Sequence, residues 1–187
     1  MSSRRALLLG GTGAVAAAAG VAFAVWRGGL AGAAGEGAGH GSGPAGEPAP
    51  AELWNLRFAQ PEGGEMAMAA LRGRPLLINF WATWCPPCVR EMPEVDRFAR
   101  QFASNGWQVL GLAADQAKPV RDFLQRNPVS YPIALAGFDG IALSRQLGND
   151  SGALPFTVAL DARGAITHRH LGETRFEQLA AWVKPGS

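Results

Sequence analysis

The sequence predicts an α/β domain built on a mixed β-sheet with helices packed on it, and three observations carry that prediction. An unbroken apolar run, Leu76 to Trp81, reads as a strand buried inside a sheet. Strand-like apolar segments then alternate with helix-like amphipathic ones as far as Leu160. Finally, the turn Asp161-Ala162-Arg163-Gly164 folds a last arm back as a hairpin, ahead of a terminal helix.

Taken in order, Leu53 to Phe58 is bulky enough for a first strand, although its alternation is loose. Pro61-Glu62-Gly63-Gly64 turns the chain, and Glu65 to Ala70 returns as a short strand or turn that completes an N-terminal hairpin. The central strand Leu76 to Trp81 leads into a helix whose apolar positions Val95, Phe98, Ala99 and Phe102 fall three and four apart. Pro93 lies inside this helix and should kink it, and Ser104-Asn105-Gly106 ends it. Trp107 to Ala113 is a second buried strand, and Val120 to Arg126 a helix opened by Pro119 and closed by Asn127-Pro128. Tyr131 to Leu135 is a short strand and Ile141 to Leu147 a short helix. Phe156 to Leu160 is a strand introduced by Pro155, and Ile166 to Leu171 pairs back on it. Thr174 to Val183 closes the chain as an amphipathic helix, with Thr174 as N-cap and Glu177 completing a capping box.

The 187 residues divide into three parts: 1–27, 28–50 and 51–187. Arg4-Arg5 precedes an apolar stretch, Ala6 to Trp26, of the kind that directs export or anchors a chain in a bilayer. The positive charge at its start predicts that everything after Arg27 lies outside the inner membrane, in the periplasm. Ala31-Gly32-Ala33 offers a small-residue cleavage site, so the domain is either released or tethered. Gly28 to Pro50, rich in glycine, alanine and proline, has no apolar periodicity and reads as a linker; His40 within it is a solvated residue. The net charge is +2, but Arg4, Arg5 and Arg27 flank the apolar segment and leave the rest of the chain near neutral. Lysine occurs only at 118 and 184, so nucleic-acid binding has no electrostatic support.

The chemistry lies in Trp84-Cys85-Pro86-Pro87-Cys88, delivered by the central strand to the start of a helix. Proline is tolerated in a first helical turn, where the missing N–H would lack a partner anyway. Cys85 then sits at the positive end of the helix dipole, which favours thiolate over thiol. Cys88 follows one turn later on the same face, within reach of a small disulfide ring. Of the tryptophans, Trp81 reads as core packing and Trp84 as a shield for the sulfur and a contact for partners. His168 and His170 share one face of a hairpin arm; a metal pair is conceivable there, and exposed sheet surface is the reading preferred.

The run Asn79-Phe80-Trp81-Ala82-Thr83-Trp84-Cys85-Pro86-Pro87-Cys88, followed by Glu91-Met92-Pro93, resembles the active-site segment of the TlpA/ResA-type thiol-disulfide oxidoreductases. These are exported members of the thioredoxin superfamily that include the reductases of cytochrome c maturation. The resemblance covers about Leu53 to Trp182. It implies a thioredoxin-like fold in which Tyr131 to Ser151 is the family's strand-helix insertion. It also implies that Leu154-Pro155 forms a cis-proline loop lying against the disulfide. The activity implied is reduction of disulfides in exported partner proteins, with a membrane-embedded thiol reductant as electron donor. The only cofactor implied is the Cys85–Cys88 disulfide, without metal. Trp84, Pro86, Pro87, Leu154 and Pro155 form the expected substrate-contact set. Ordinary thioredoxins carry a buried aspartate where this chain has Asn79, so Glu91 is the available acid/base group for Cys88, as in the family pattern. The competing reading of Glu91 is an exposed first-turn glutamate. Asp115 is a second candidate, read more readily as a helix cap.

Other classes fit less well. Zinc needs two more ligands and no second cysteine pair exists. A copper-delivery protein of related fold would space its cysteines further apart, although His168 or His170 keeps that alternative open. A peroxidase expects threonine three residues before its cysteine, whereas Thr83 is two before Cys85. A purely structural disulfide in so small a loop would add little stability. Between directions, a Pro-Pro pair without a cation stabilises the thiolate less than a histidine would. That favours a reductase over a dithiol oxidase.

Overall fold

The computed structural model describes residues 46–183. The export or anchor segment 1–27, most of the 28–50 linker with His40, and residues 184–187 lie outside the described residues. The strands are β1 (Glu47–Pro48), β2 (Arg57–Ala59), β3 (Glu65–Ala67), β4 (Leu76–Trp81), β5 (Gln108–Ala113), β6 (Ile133–Leu135), β7 (Phe156–Leu160) and β8 (Ala165–Leu171). The helices are α1 (Pro86–Phe102), α2 (Ala117–Arg126), α3 (Asp139–Gln146) and α4 (Phe176–Ala181).

The eight strands of the described residues form one mixed sheet in the order β1-β8-β7-β4-β5-β6-β2-β3. β4 lies at its centre, parallel to β5 and antiparallel to β7, and every one of its residues is buried, which is why it reads as a continuous apolar run. Side chains alternate across the sheet. Leu77 and Trp81 pack with Cys88, Val95 and Phe98 of α1, whereas Leu76, Ile78 and Phe80 pack with Leu143 and Leu147 at α3 and with Leu53, Trp54 and Met68. The same alternation turns Asn79 and Thr157, opposite each other in the β4–β7 register, toward α1. The insertion is present as β6 and α3, with β6 joining β5 to the N-terminal hairpin β2–β3.

The structure departs from the sequence reading at four places. Leu53 to Asn55 belongs to a 3₁₀ turn (Ala51–Asn55), and the first hairpin arm starts only at Arg57. Leu53 and Trp54 are adjacent and both buried, an arrangement a turn provides and a one-sided strand does not. Glu47 and Pro48, placed in the linker by composition, pair with Ile166 and Ala165 on the sheet edge. A buried Arg169 holds them there, its Nη2 2.9 Å from Glu47. The histidines are not on an exposed surface. His168 stacks on Trp182, and His170 is buried with Nδ1 2.9 Å from Gln178 Nε2, because the terminal helix covers that face. The last helix begins at Phe176 without a side-chain cap, since Thr174 is engaged elsewhere.

Candidate active site

β4 ends at Trp81, whose carbonyl accepts the Ala114 amide at 2.8 Å, so the outgoing loop is pinned beside the end of β5. Asp115 fastens the loop further: Oδ2 accepts the Thr83 amide at 3.0 Å and the Thr83 hydroxyl at 2.5 Å, while Oδ1 accepts the Gln116 amide. Asp115 is thus a brace for the cysteine loop. The chain then turns into α1 with Cys85 as N-cap, Pro86 and Pro87 in the first turn, and the helix continuing across Pro93. Cys85 and Cys88 are disulfide-bonded, with Cα atoms 5.3 Å apart. The Cys88 amide points at Cys85 Sγ from 3.4 Å, the helix-terminal donor that stabilises a sulfur anion. Cys85 retains 5% of its surface and Cys88 none, so only the first sulfur faces an incoming molecule. Trp84 beside it is 62% exposed, while Trp81 is fully buried. Leu154-Pro155 is a cis peptide, and the Phe80–Phe156 pairing brings it to the edge where β4 hands over to α1.

Behind the cysteines lies a buried polar group of four. Glu91 is fully buried one turn after Cys88, which removes the exposed-glutamate reading. Its Oε1 accepts Asn79 Nδ2 at 2.7 Å; its Oε2 accepts the Thr174 amide at 2.7 Å and the Thr174 hydroxyl at 2.8 Å. Asn79 Nδ2 also donates to Thr157 Oγ1 at 3.0 Å. Burial pushes the Glu91 carboxyl up to about 7 despite the opposing hydrogen bonds from Thr174 and Asn79. A group balanced there can give or take a proton at neutral pH. Glu94 accepting the Phe176 amide, and Arg90 paired with Glu173, tie the same side of α1 to the segment before α4.

Sequence reasoning places Cys85, Cys88, Glu91 and the cis-proline at one edge, and the structure brings them there. It misses Thr174 and Thr157. The Thr174-x-x-Glu177 spacing points to a capping box, yet both Thr174 donors serve Glu91 while Glu177 pairs with Arg97 on the surface. Thr157, a polar residue in an otherwise apolar strand, is the available signal on β7. Among the described residues no three His, Cys, Asp or Glu side chains gather as a metal-holding group.

A vicinal cysteine pair at the junction of a central strand and a helix, opposite a cis-proline, defines a thioredoxin-like fold with a dithiol–disulfide centre. The chain belongs to the redoxin family, whose sequence model matches residues 44–181. It is similar to the thiol-disulfide oxidoreductase ResA of Bacillus anthracis, 28% identical over 71% of this chain and 75% of that one. It is also similar to the thiol:disulfide interchange protein DsbE of Tatumella citrea, 33% identical over 73% and 71%. Among solved structures, a thioredoxin-family thiol:disulfide interchange protein from Chlorobium tepidum TLS superposes with a TM-score of 0.64 at 26% identity, covering 76% of this chain and 97% of that one. The protein is a thiol-disulfide oxidoreductase of the ResA/DsbE type.

Proposed function

We propose that the protein works in the periplasm, exported or tethered by residues 6–26, as a reductase of disulfides in other exported proteins, of the cytochrome c maturation type. The observation that carries this reading is the Cys85–Cys88 pair itself. Its outer sulfur lies under a helix N-terminus, and its inner one sits one turn from a buried carboxyl. In the reduced enzyme the Cys85 thiolate attacks a partner disulfide, forms a mixed disulfide and expels one partner thiolate. Glu91 takes the proton from Cys88. The Cys88 thiolate then attacks Cys85 Sγ, closing the ring and releasing the second partner thiol. The first partner thiolate takes its proton from water and the second leaves with the proton held by Glu91, so the enzyme itself passes on two electrons and one proton. A membrane-embedded dithiol returns them by attacking the Cys85–Cys88 bond.

Direction is supported by what stabilises the Cys85 anion. The hydrogen bond on Sγ comes from a neutral backbone amide, and Pro86 and Pro87 bring neither charge nor N–H. A modestly stabilised thiolate makes a more reducing couple. Partner docking is supported by the exposed Trp84 and Pro86 and by the cis-proline loop, where an extended peptide can lie as an added strand. The test is Cys88→Ala expressed with its own N-terminus. The reading predicts mixed disulfides through Cys85 with exported proteins carrying cysteine pairs, together with a reduction potential in the reducing range for the intact pair. Failure to recover adducts, or a potential as oxidising as that of a disulfide-forming oxidase, would refute it.

A further inference from the structure

The four-membered buried group has an asymmetry that its hydrogen bonds make visible. Among the described residues every hydrogen bond to the Glu91 carboxyl comes from a donor: one N–H from Asn79 on Oε1, and an N–H and an O–H from Thr174 on Oε2. That arrangement suits a carboxylate, which only accepts. The carboxylic acid has an O–H that must find an acceptor, and leaving it unpaired in a buried site is costly. On Oε2 the new proton would meet the backbone N–H of Thr174, which is fixed by the chain, and a Thr174 hydroxyl that can receive it only by giving up its own bond to the carboxyl. On Oε1 it meets only Asn79, whose side-chain amide can turn over.

Asn79 is suited to turn. Its Oδ1 is buried and has no hydrogen-bond partner among the described residues, while its Nδ2 serves both Glu91 and Thr157. Rotating the amide by half a turn puts Oδ1 where Nδ2 stood, so the unpaired carbonyl and the acid O–H both gain partners while the Nδ2 hydrogens give up theirs. Oδ1 then accepts the Glu91 O–H on one side and, once the Thr157 hydroxyl swings round, the Thr157 O–H on the other. Thr157 can do this because a hydroxyl both donates and accepts. All three side chains are fully buried, so no water need enter for the exchange.

From this geometry we infer that Asn79 is a positioning residue for the catalytic proton: its amide presents Nδ2 to the Glu91 carboxylate and Oδ1 to the acid. The inference rests on the reading of Glu91 as the acid/base group and adds how the protonated form is held between steps. Other titratable groups face the cluster from each packed element. They are Cys88 on α1, His170 beside Thr157 in the β7–β8 register, Tyr131 ahead of β6, and Glu173, paired with Arg90, before α4.

The experiment is nuclear magnetic resonance on the unsubstituted oxidised protein, following the Asn79 side-chain amide and the Glu91 carboxyl carbon as pH is varied. The oxidised form removes Cys88 from the titration. The inference predicts that both signals move with one midpoint, and that the Asn79 amide protons lose their hydrogen-bonded shift as Glu91 takes up its proton. An Asn79 amide that keeps that shift on both sides of the midpoint would overturn it, since the acid would then donate to Thr174 Oγ1. A kinetic arm uses Asn79→Asp, which sets two carboxyls at hydrogen-bond distance and should replace the single inflection in the exchange rate by two, one on each side of it. A single inflection at the unsubstituted position would count against Asn79. If the protein exchanged no disulfides at all, the resonance arm would still read the amide, so failure of the functional reading and failure of this one are distinguishable.

Discussion

At the residue scale, Glu91 shows how burial raises an ordinary carboxyl into the neutral range, which its proposed role as proton carrier requires. Desolvation outweighs three stabilising hydrogen bonds, because losing water around a full charge costs more than a few donors restore. Glu91→Gln retains one acceptor for Thr174 and offers N–H toward Asn79, which the turned amide can receive, so the fold should persist. The exchange rate at neutral pH is predicted to drop about a hundredfold, the low end of the usual contribution of acid–base catalysis. The inflection near pH 7 should vanish with it. Stopped-flow exchange with a model disulfide across the neutral range checks both; an unchanged profile would remove Glu91 from the mechanism. Thr174→Val deletes one donor to the carboxylate and should move the same inflection upward, which the same assay reads.

At the scale of elements, the loop from β4 to α1 depends on a brace from a neighbouring strand end. Asp115 reads in the sequence as a helix cap or a second acid; its carboxylate instead holds Thr83 through backbone and hydroxyl. Asp115→Ala is predicted to destabilise the protein by about 1–3 kcal/mol and to speed amide exchange at Thr83. Urea unfolding and hydrogen exchange measure the two effects, and an unaltered midpoint with a protected Thr83 would contradict the brace. This scale also shows what the sequence could reveal. β4, α1 and β7 are legible because an apolar run, a three-four periodicity and a proline before a strand are local signals. The two-residue β1 is not, since its place depends on Arg169 far along the chain. Neither is the short start of α4, where Thr174 has two possible partners and the distant one wins. The buried His170 escapes for the same reason: nothing near it in sequence tells that Gln178 will cover it.

For the whole molecule, the consequence of Glu91 is a pH-dependent stability whose sign can be worked out. Its carboxyl rises from 4.5 to about 7 on folding, so between those values the folded state holds a proton that the unfolded chain has released. Stability from this group is therefore fully present below about pH 4.5 and falls as pH rises through about 7, by something on the order of 3 kcal/mol. Urea titrations of the oxidised protein should show this decline, and Glu91→Gln should flatten it. A rise in stability over the same interval, unaltered by the substitution, would show that Glu91 is not buried as a neutral acid. Asp122 and Asp161 are held below their ordinary values, with contributions of opposite sign, but they lie near solvent and are screened.

The chemistry depends most on the inequality of the two sulfurs, one presented by a helix start and the other closed behind it. The direct measurement is the pH dependence of alkylation of the freshly reduced protein, with the modified cysteine identified by mass. Cys85 should react first, with a midpoint below the value of about 8.5 for a free thiol, and Cys88 should lag until Cys85 is blocked. Two cysteines reacting at equal rates, both with the midpoint of a free thiol, would contradict it.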